Sequence, residues 1–132
     1  MKKIFFLLIL LTAILGCSNR EMVIKDEISP MYYSLSGDLE NGVRTIDVEA
    51  YKFGFNPDIL VVNSGEKIRV RLTSLDVAHG FKLEGFGINE RIEPGKESIV
   101  EFYATEAGTY EFKCSVFCGS GHLKMRGWLI VK

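Results

Sequence analysis

The chain has 132 residues, 47% of them apolar, with 16 Lys and Arg against 17 Asp and Glu. That length holds one domain with a single packed core. A formal charge of −1, with no arginine-rich run or basic patch, leaves nucleic-acid binding without an electrostatic footing.

The first sixteen residues read as a separate unit. Lys2 and Lys3 give a positive start, Ile4 to Leu15 an apolar run broken only by Thr12, and "ILGC" closes the stretch at 14 to 17. This is the pattern of an export signal. As a helix the run would be about 18 Å long, short of the roughly 20 residues needed to cross a bilayer. "ILGC" resembles the lipobox of bacterial lipoproteins, which implies cleavage before Cys17, a lipid on that cysteine and anchorage to a membrane. The domain would then lie on the periplasmic or extracytoplasmic side. An ordinary signal peptide with a chance cysteine is the alternative. Loss of residues 1–16 removes two lysines and leaves a net charge of −3. With Cys17 lipidated, Cys114 and Cys118 are the cysteines left to face an oxidising compartment.

Residues 17–44 mix charges, Ser, Gly and Pro30 without a sustained period, which predicts a tether; within it Met31 to Leu35 is the stretch that would pack on the domain. The domain proper is expected over residues 45–132. From Thr45 the hydrophobic period is two. Ile46, Val48 and Ala50 alternate with Asp47 and Glu49; Ile68, Val70 and Leu72 alternate with Lys67, Arg69 and Arg71. Val100 and Phe102 repeat the pattern, as do Tyr110 and Phe112. Each predicts a strand with one buried face. Turn-forming residues at 56–58, 63–66, 93–96 and 106–108 separate them. Short strands at this spacing, without an amphipathic helix, predict an all-β fold, an antiparallel β-sandwich. After Ala50 the apolar parity switches to Tyr51, Phe53 and Phe55, which implies a bulge or an aromatic set on the opposite face.

The chemistry concentrates in "KCSVFCGSGHLKM", residues 113 to 125, which holds four of the chain's nine Cys, His and Met side chains. Cys114, Cys118, His122 and Met125 would also share one face of an α-helix. Gly119 and Gly121 would each cost that helix about 1 kcal/mol, and the segment leaves directly from a strand. A loop between two strands fits better, with the glycines allowing a tight path. Thiolates, imidazole and thioether together suit copper, with Met as a long, weak ligand. Zinc more typically takes a Cys/His set without thioether. A disulfide between Cys114 and Cys118 is the plain alternative. His79, in "DVAHGF", sits at the end of another strand pattern, with Asp76 nearby as either its hydrogen-bond partner or a solvated turn residue.

"CSVFCGSGHLKM", with "DVAHGF" upstream of it, resembles the dinuclear copper (CuA) loop and its upstream histidine segment in subunit II of haem–copper oxidases, including cytochrome c oxidase. The likeness runs from about Ile46 to Lys132. It implies a Greek-key cupredoxin fold in which Cys114 and Cys118 bridge two copper ions. His79 and Met125 would complete one copper, and His122 with the backbone carbonyl of Val116 the other. It further implies electron transfer from a c-type cytochrome or other small redox protein to a membrane-bound haem–copper oxidase or another reductase. Copper delivery or storage in the periplasm is the competing reading; catalysis by this chain alone, as in the larger nitrous oxide reductase, finds no residues for a second domain. Here Tyr51, Phe53 and Phe55 stand where oxidases commonly present tryptophan, and Trp128 reads as structural.

Overall fold

The structure is a computed structural model that describes residues 34–132. The expected export signal, Cys17 and the expected tether as far as Tyr33 lie outside the described residues. Ten strands form two facing sheets: β1 (Asp38–Glu40), β2 (Val43–Tyr51), β3 (Gly54–Asn56), β4 (Ile59–Val62), β5 (Lys67–Ser74), β6 (His79–Leu83), β7 (Ile88–Ile92), β8 (Ser98–Tyr103), β9 (Gly108–Lys113) and β10 (Arg126–Val131). One sheet has the order β1-β2-β5-β8, with β3 also paired to β2; the other has the order β4-β10-β9-β6-β7. Among the described residues the only helical turns are short 3-10 segments at Glu84–Phe86 and His122–Lys124. None is long and apolar enough to cross a membrane.

The sandwich expected from the period-two pattern is present. Ile46, Val48 and Ala50 of β2, Ile68, Val70 and Leu72 of β5, and Val100 and Phe102 of β8 all turn inward. Leu60, Val62, Phe81, Leu83, Phe112, Leu129 and Val131 answer them from the second sheet. A fully buried side chain of this size contributes about 1.5–3 kcal/mol, so the alternation sets which face each strand presents. Two pairings depart from a purely antiparallel arrangement: β2 runs parallel to β5, and β4 parallel to β10. Parallel neighbours need a long crossover, and here the chain supplies it by passing to the opposite sheet before returning.

Two expectations need correction. The folded unit begins before residue 45: Ser36 exchanges hydrogen bonds with Val61, and β1 pairs with the start of β2. The cause is Arg44, which is polar yet points inward with its apolar strand partners. It is buried against Glu66, donating at 2.7 and 2.9 Å, and a further 3.0 Å bond to the Ser36 carbonyl ties down the incoming chain. The aromatic parity switch is also not a bulge. β2 ends at Tyr51, the chain reverses through Lys52 and Phe53, and β3 pairs back with Gly54 opposite Tyr51 and Phe55 opposite Ala50. Phe55 therefore enters the core, edge-on to Phe81 and Phe112 with centroids 6.0 and 5.2 Å away, while Tyr51 and Phe53 remain partly exposed. Trp128, expected to be structural, lies half-exposed on the outer face of β10.

The Arg44 hydrogen bonds, helped by Asn63 and opposed by burial, hold the Glu66 carboxyl down at about 2. A depressed folded-state value contributes stability that is complete above the ordinary carboxyl range near 4.5 and fades as pH falls towards about 2. Glu66→Gln is expected to cost about 2 kcal/mol at pH 7 and less than half of that at pH 3, read from urea unfolding at both pH values.

Candidate metal centre

The site is built at the mouth of one hairpin. β9 and β10 pair as far as Lys113 opposite Arg126, and the next residues are joined by Cys114 N–H donating to the Met125 carbonyl at 3.0 Å. The first and last donors of the loop are therefore fixed to each other by the ladder. Between them the chain folds back over the pole of the sandwich. His122 N–H bonds the Gly119 carbonyl at 3.1 Å, and Met125 N–H the His122 carbonyl at 3.2 Å. This coiling brings Cys118 inward, with its Sγ 3.9 Å from Cys114 Sγ and 3.8 Å from Met125 Sδ. His122 Nδ1 stands 3.7 Å from Cys118 Sγ, and the Val116 carbonyl accepts from the Cys114 thiol at 3.1 Å.

The remaining histidine arrives from β6, the strand beside β9 in the sheet. His79 opens β6, a correction to its expected place at a strand end; a turn closed by Ser74 Oγ donating to the Val77 carbonyl separates it from β5. Its ring is wholly buried, with Nδ1 3.9 Å from Cys114 Sγ and Nε2 2.6 Å from Asp76 Oδ1. With Nε2–H donated to the carboxylate, Nδ1 keeps its lone pair towards the sulfur. Asp76 is thus the histidine's partner while lying exposed in the turn before β6. Bonds from His79, Val77 and Lys52 outweigh burial and lower its carboxyl below the usual range.

All six residues singled out in the sequence, His79, Cys114, Val116, Cys118, His122 and Met125, meet at this pole. Both cysteines are free and buried, and the His79, Cys114 and Cys118 donor atoms lie within 4.8 Å of one another. Burial, and then the neighbouring Cys114, push the Cys118 thiol up to about 11. Two buried thiols face each other here without a sulfur–sulfur bond, ringed by imidazole, thioether and carbonyl. Such a set is costly to bury unless something bonds it, and its softness fits copper. No sequence signal announced one further contact: Gly80 N–H donates to Cys114 Sγ at 3.4 Å. A side chain there would lie 2.8 Å from Ser115 N and 2.9 Å from Val116 N, so only glycine allows the loop this close to β6.

A β-sandwich carrying a buried thiol, imidazole and thioether cluster at one pole is a metal-binding domain by its construction. Residues 7–131 match the cupredoxin-like domain family, and the chain belongs to that family. It is 40% identical over 88 residues to cytochrome c oxidase subunit 2 of Thermus thermophilus, an alignment spanning 67% of this chain and 65% of the relative. The chain thus spans slightly less than two thirds of that relative's length. It is also 30% identical over 82 residues to the nitrous-oxide reductase of Stutzerimonas stutzeri, covering 59% of this chain and 13% of that enzyme. Among solved structures, the periplasmic domain of subunit II of cytochrome oxidase from Bradyrhizobium japonicum superposes with a TM-score of 0.64 at 24% identity, over 74% of this chain and 86% of that one.

Asp76→Ala removes the acceptor that orients His79. It is expected to weaken binding of Cu(I) by roughly 10- to 100-fold, measured by competition with a chromophoric chelator, while the fold is retained.

Proposed function

We propose that this chain is an electron-transfer domain of the cytochrome c oxidase subunit II type, holding two copper ions at the pole described above. The observation that carries the reading is the face-to-face placement of the two free thiols, 3.9 Å apart, with separate donors beside each. Cys114 Sγ has His79 Nδ1 and the Val116 carbonyl as neighbours; Cys118 Sγ has His122 Nδ1 and Met125 Sδ. One thiolate and its neighbours would suffice for a single copper. A second thiolate at this distance is what a bridged pair requires. In this reading both thiolates would hold the copper pair, with His79 and Met125 serving one ion and His122 and the Val116 carbonyl the other. Bound there, the copper pair would supply a one-electron couple shared between two metals.

The chain's own residues suit that task by resisting movement. Cys114 and Met125 are joined through their backbones, His79 is held by Asp76, and the loop closes on its own carbonyls. Donors that keep their places on a change of charge lower the cost of electron transfer. The buried sulfurs also argue for retention of metal over delivery, which needs an accessible, opening site. The rim beside His122 carries two exposed apolar side chains: Phe117 and Leu123 are 78% and 82% exposed, and the Phe117 ring lies 5.7 Å from the imidazole. We assign this rim to docking of a c-type cytochrome or other small redox protein as donor. A membrane-bound haem–copper oxidase or another reductase would be the acceptor, and catalysis would belong to that partner. Export and lipid attachment at Cys17, suggested by residues 1–17, would place the domain on the extracytoplasmic side of a membrane.

Copper loading of the purified chain, followed by metal analysis and electron paramagnetic resonance, tests the reading. Two coppers per chain with one unpaired electron spread over both nuclei is expected, and Cys118→Ser should reduce this to one copper or none. One copper per wild-type chain, or an unchanged visible spectrum in the variant, would favour storage or delivery. Met125→Leu should keep both coppers and raise the reduction potential in voltammetry, because loss of a weak thioether donor disfavours Cu(II).

A further inference from the structure

The two histidines reach the site from separate segments, His79 on β6 and His122 in the β9–β10 loop. One two-residue turn, from the other sheet, touches the supports of both. Lys52 N–H donates to Asp76 Oδ2 at 2.7 Å, and the other oxygen of the same carboxylate holds His79 Nε2 at 2.6 Å. Phe53, the next residue, lays its ring on the glycines that precede His122. A side chain at Gly119 would come within 2.9 Å of Phe53 Cε1, and one at Gly121 would overlap Phe53 Cβ and Cγ.

These glycines were expected to serve a tight path. Gly119 does, with φ +135°. Gly121 does not: its φ of −92° is open to any residue, so its missing side chain makes room for the ring. The turn is itself well anchored. Tyr51 and Gly54 pair across it, and Leu75 N–H bonds the Ala50 carbonyl at 2.9 Å just beside it. Phe53 nevertheless remains 37% exposed, an apolar ring placed at the rim where a core role would have buried it.

We propose that the Lys52–Phe53 turn is a clamp that sets the two donor segments against each other. Its amide positions Asp76 and through it His79, while its ring holds the Cys118–His122 arc down on the sulfurs. Phe53 is a positioning residue, acting through Gly119 and Gly121. The clamp rests on the reading of His79 and His122 as metal donors, but it is a property of the metal-free chain and is tested there.

The test is alkylation of the metal-free full chain by iodoacetamide, with each cysteine followed by peptide mass spectrometry, beside the ring resonances of the chain's two histidines. Phe53→Ala is expected to speed alkylation at Cys118 about tenfold through easier opening of the arc. It should also shift His122 and leave His79 in place. Phe53→Tyr, which restores the ring, should return both readouts to wild type. Val100→Ala, a core change on β8, supplies a destabilised control and should alter the Cys118 rate less than about twofold. An unchanged Cys118 rate in folded Phe53→Ala, or an equal rise in Val100→Ala, would overturn the clamp. Should Phe53→Ala fail to fold, Phe53→Leu takes its place under the same criteria. Copper loading separates the two ideas: failure of the wild type to bind copper, with the Cys118 response intact, sinks the copper reading and leaves the clamp standing.

Discussion

The donors of the β9–β10 loop all depend on one backbone hydrogen bond, from Cys114 N–H to the Met125 carbonyl. It is the last rung of the β9–β10 ladder, and it turns an eleven-residue separation in sequence into direct adjacency. Without it the loop would be an open excursion whose donors each carried their own conformational entropy. With it, the span between Cys118 and His122 has to fold inward over a fixed neck. The sulfur–sulfur distance, the approach of His122 and the position of the Val116 carbonyl all follow from that closure.

The sandwich supplies what the hairpin lacks. Phe112 and Phe81, two residues before Cys114 and two after His79, pack with centroids 4.8 Å apart, and Phe55 closes over both. The site therefore rests on an aromatic floor whose positions are set by strand register. At the opposite end Arg44 and Glu66 close the space between the sheets with a hydrogen-bonded ion pair. Among the described residues no buried side-chain nitrogen or oxygen lacks a partner. The polar cost of the fold is thus met throughout, and the soft donors are the buried groups left with bonding capacity to offer.

On the proposed reading, those features suit the geometry to passing electrons more than to making bonds. Each donor has its own immediate support: β6 and Asp76 for His79, the ladder for Cys114 and Met125, and the loop closed on that ladder for His122. Such a frame is stiff because its supports are regular structure and their ties are short. The two most exposed of the large apolar side chains, Phe117 and Leu123, are found on the rim beside His122, where they can meet a partner without disturbing what lies beneath.

The sequence by itself determined the strands, through strict alternation at β2, β5, β8 and β9, and the candidate donor set, through the spacing of Cys114, Cys118, His122 and Met125 with His79 upstream. Both signals are local: a period of two records which face is buried, and a compact loop carries its donors at fixed intervals. Other features were decided only by the tertiary structure. Arg44 read as part of a tether because its partner Glu66 lies 22 residues away, and the reversal at Lys52–Phe53 was hidden by an unbroken aromatic alternation. That Asp76, in the turn before β6, also holds the His79 ring appeared only in the folded chain. The need for Gly80 and Gly121 appeared only when Ser115 and Phe53 were found against them. Contacts between strands distant in the chain depend on sheet order and register, and those are properties of the packed whole that no run of neighbouring residues encodes.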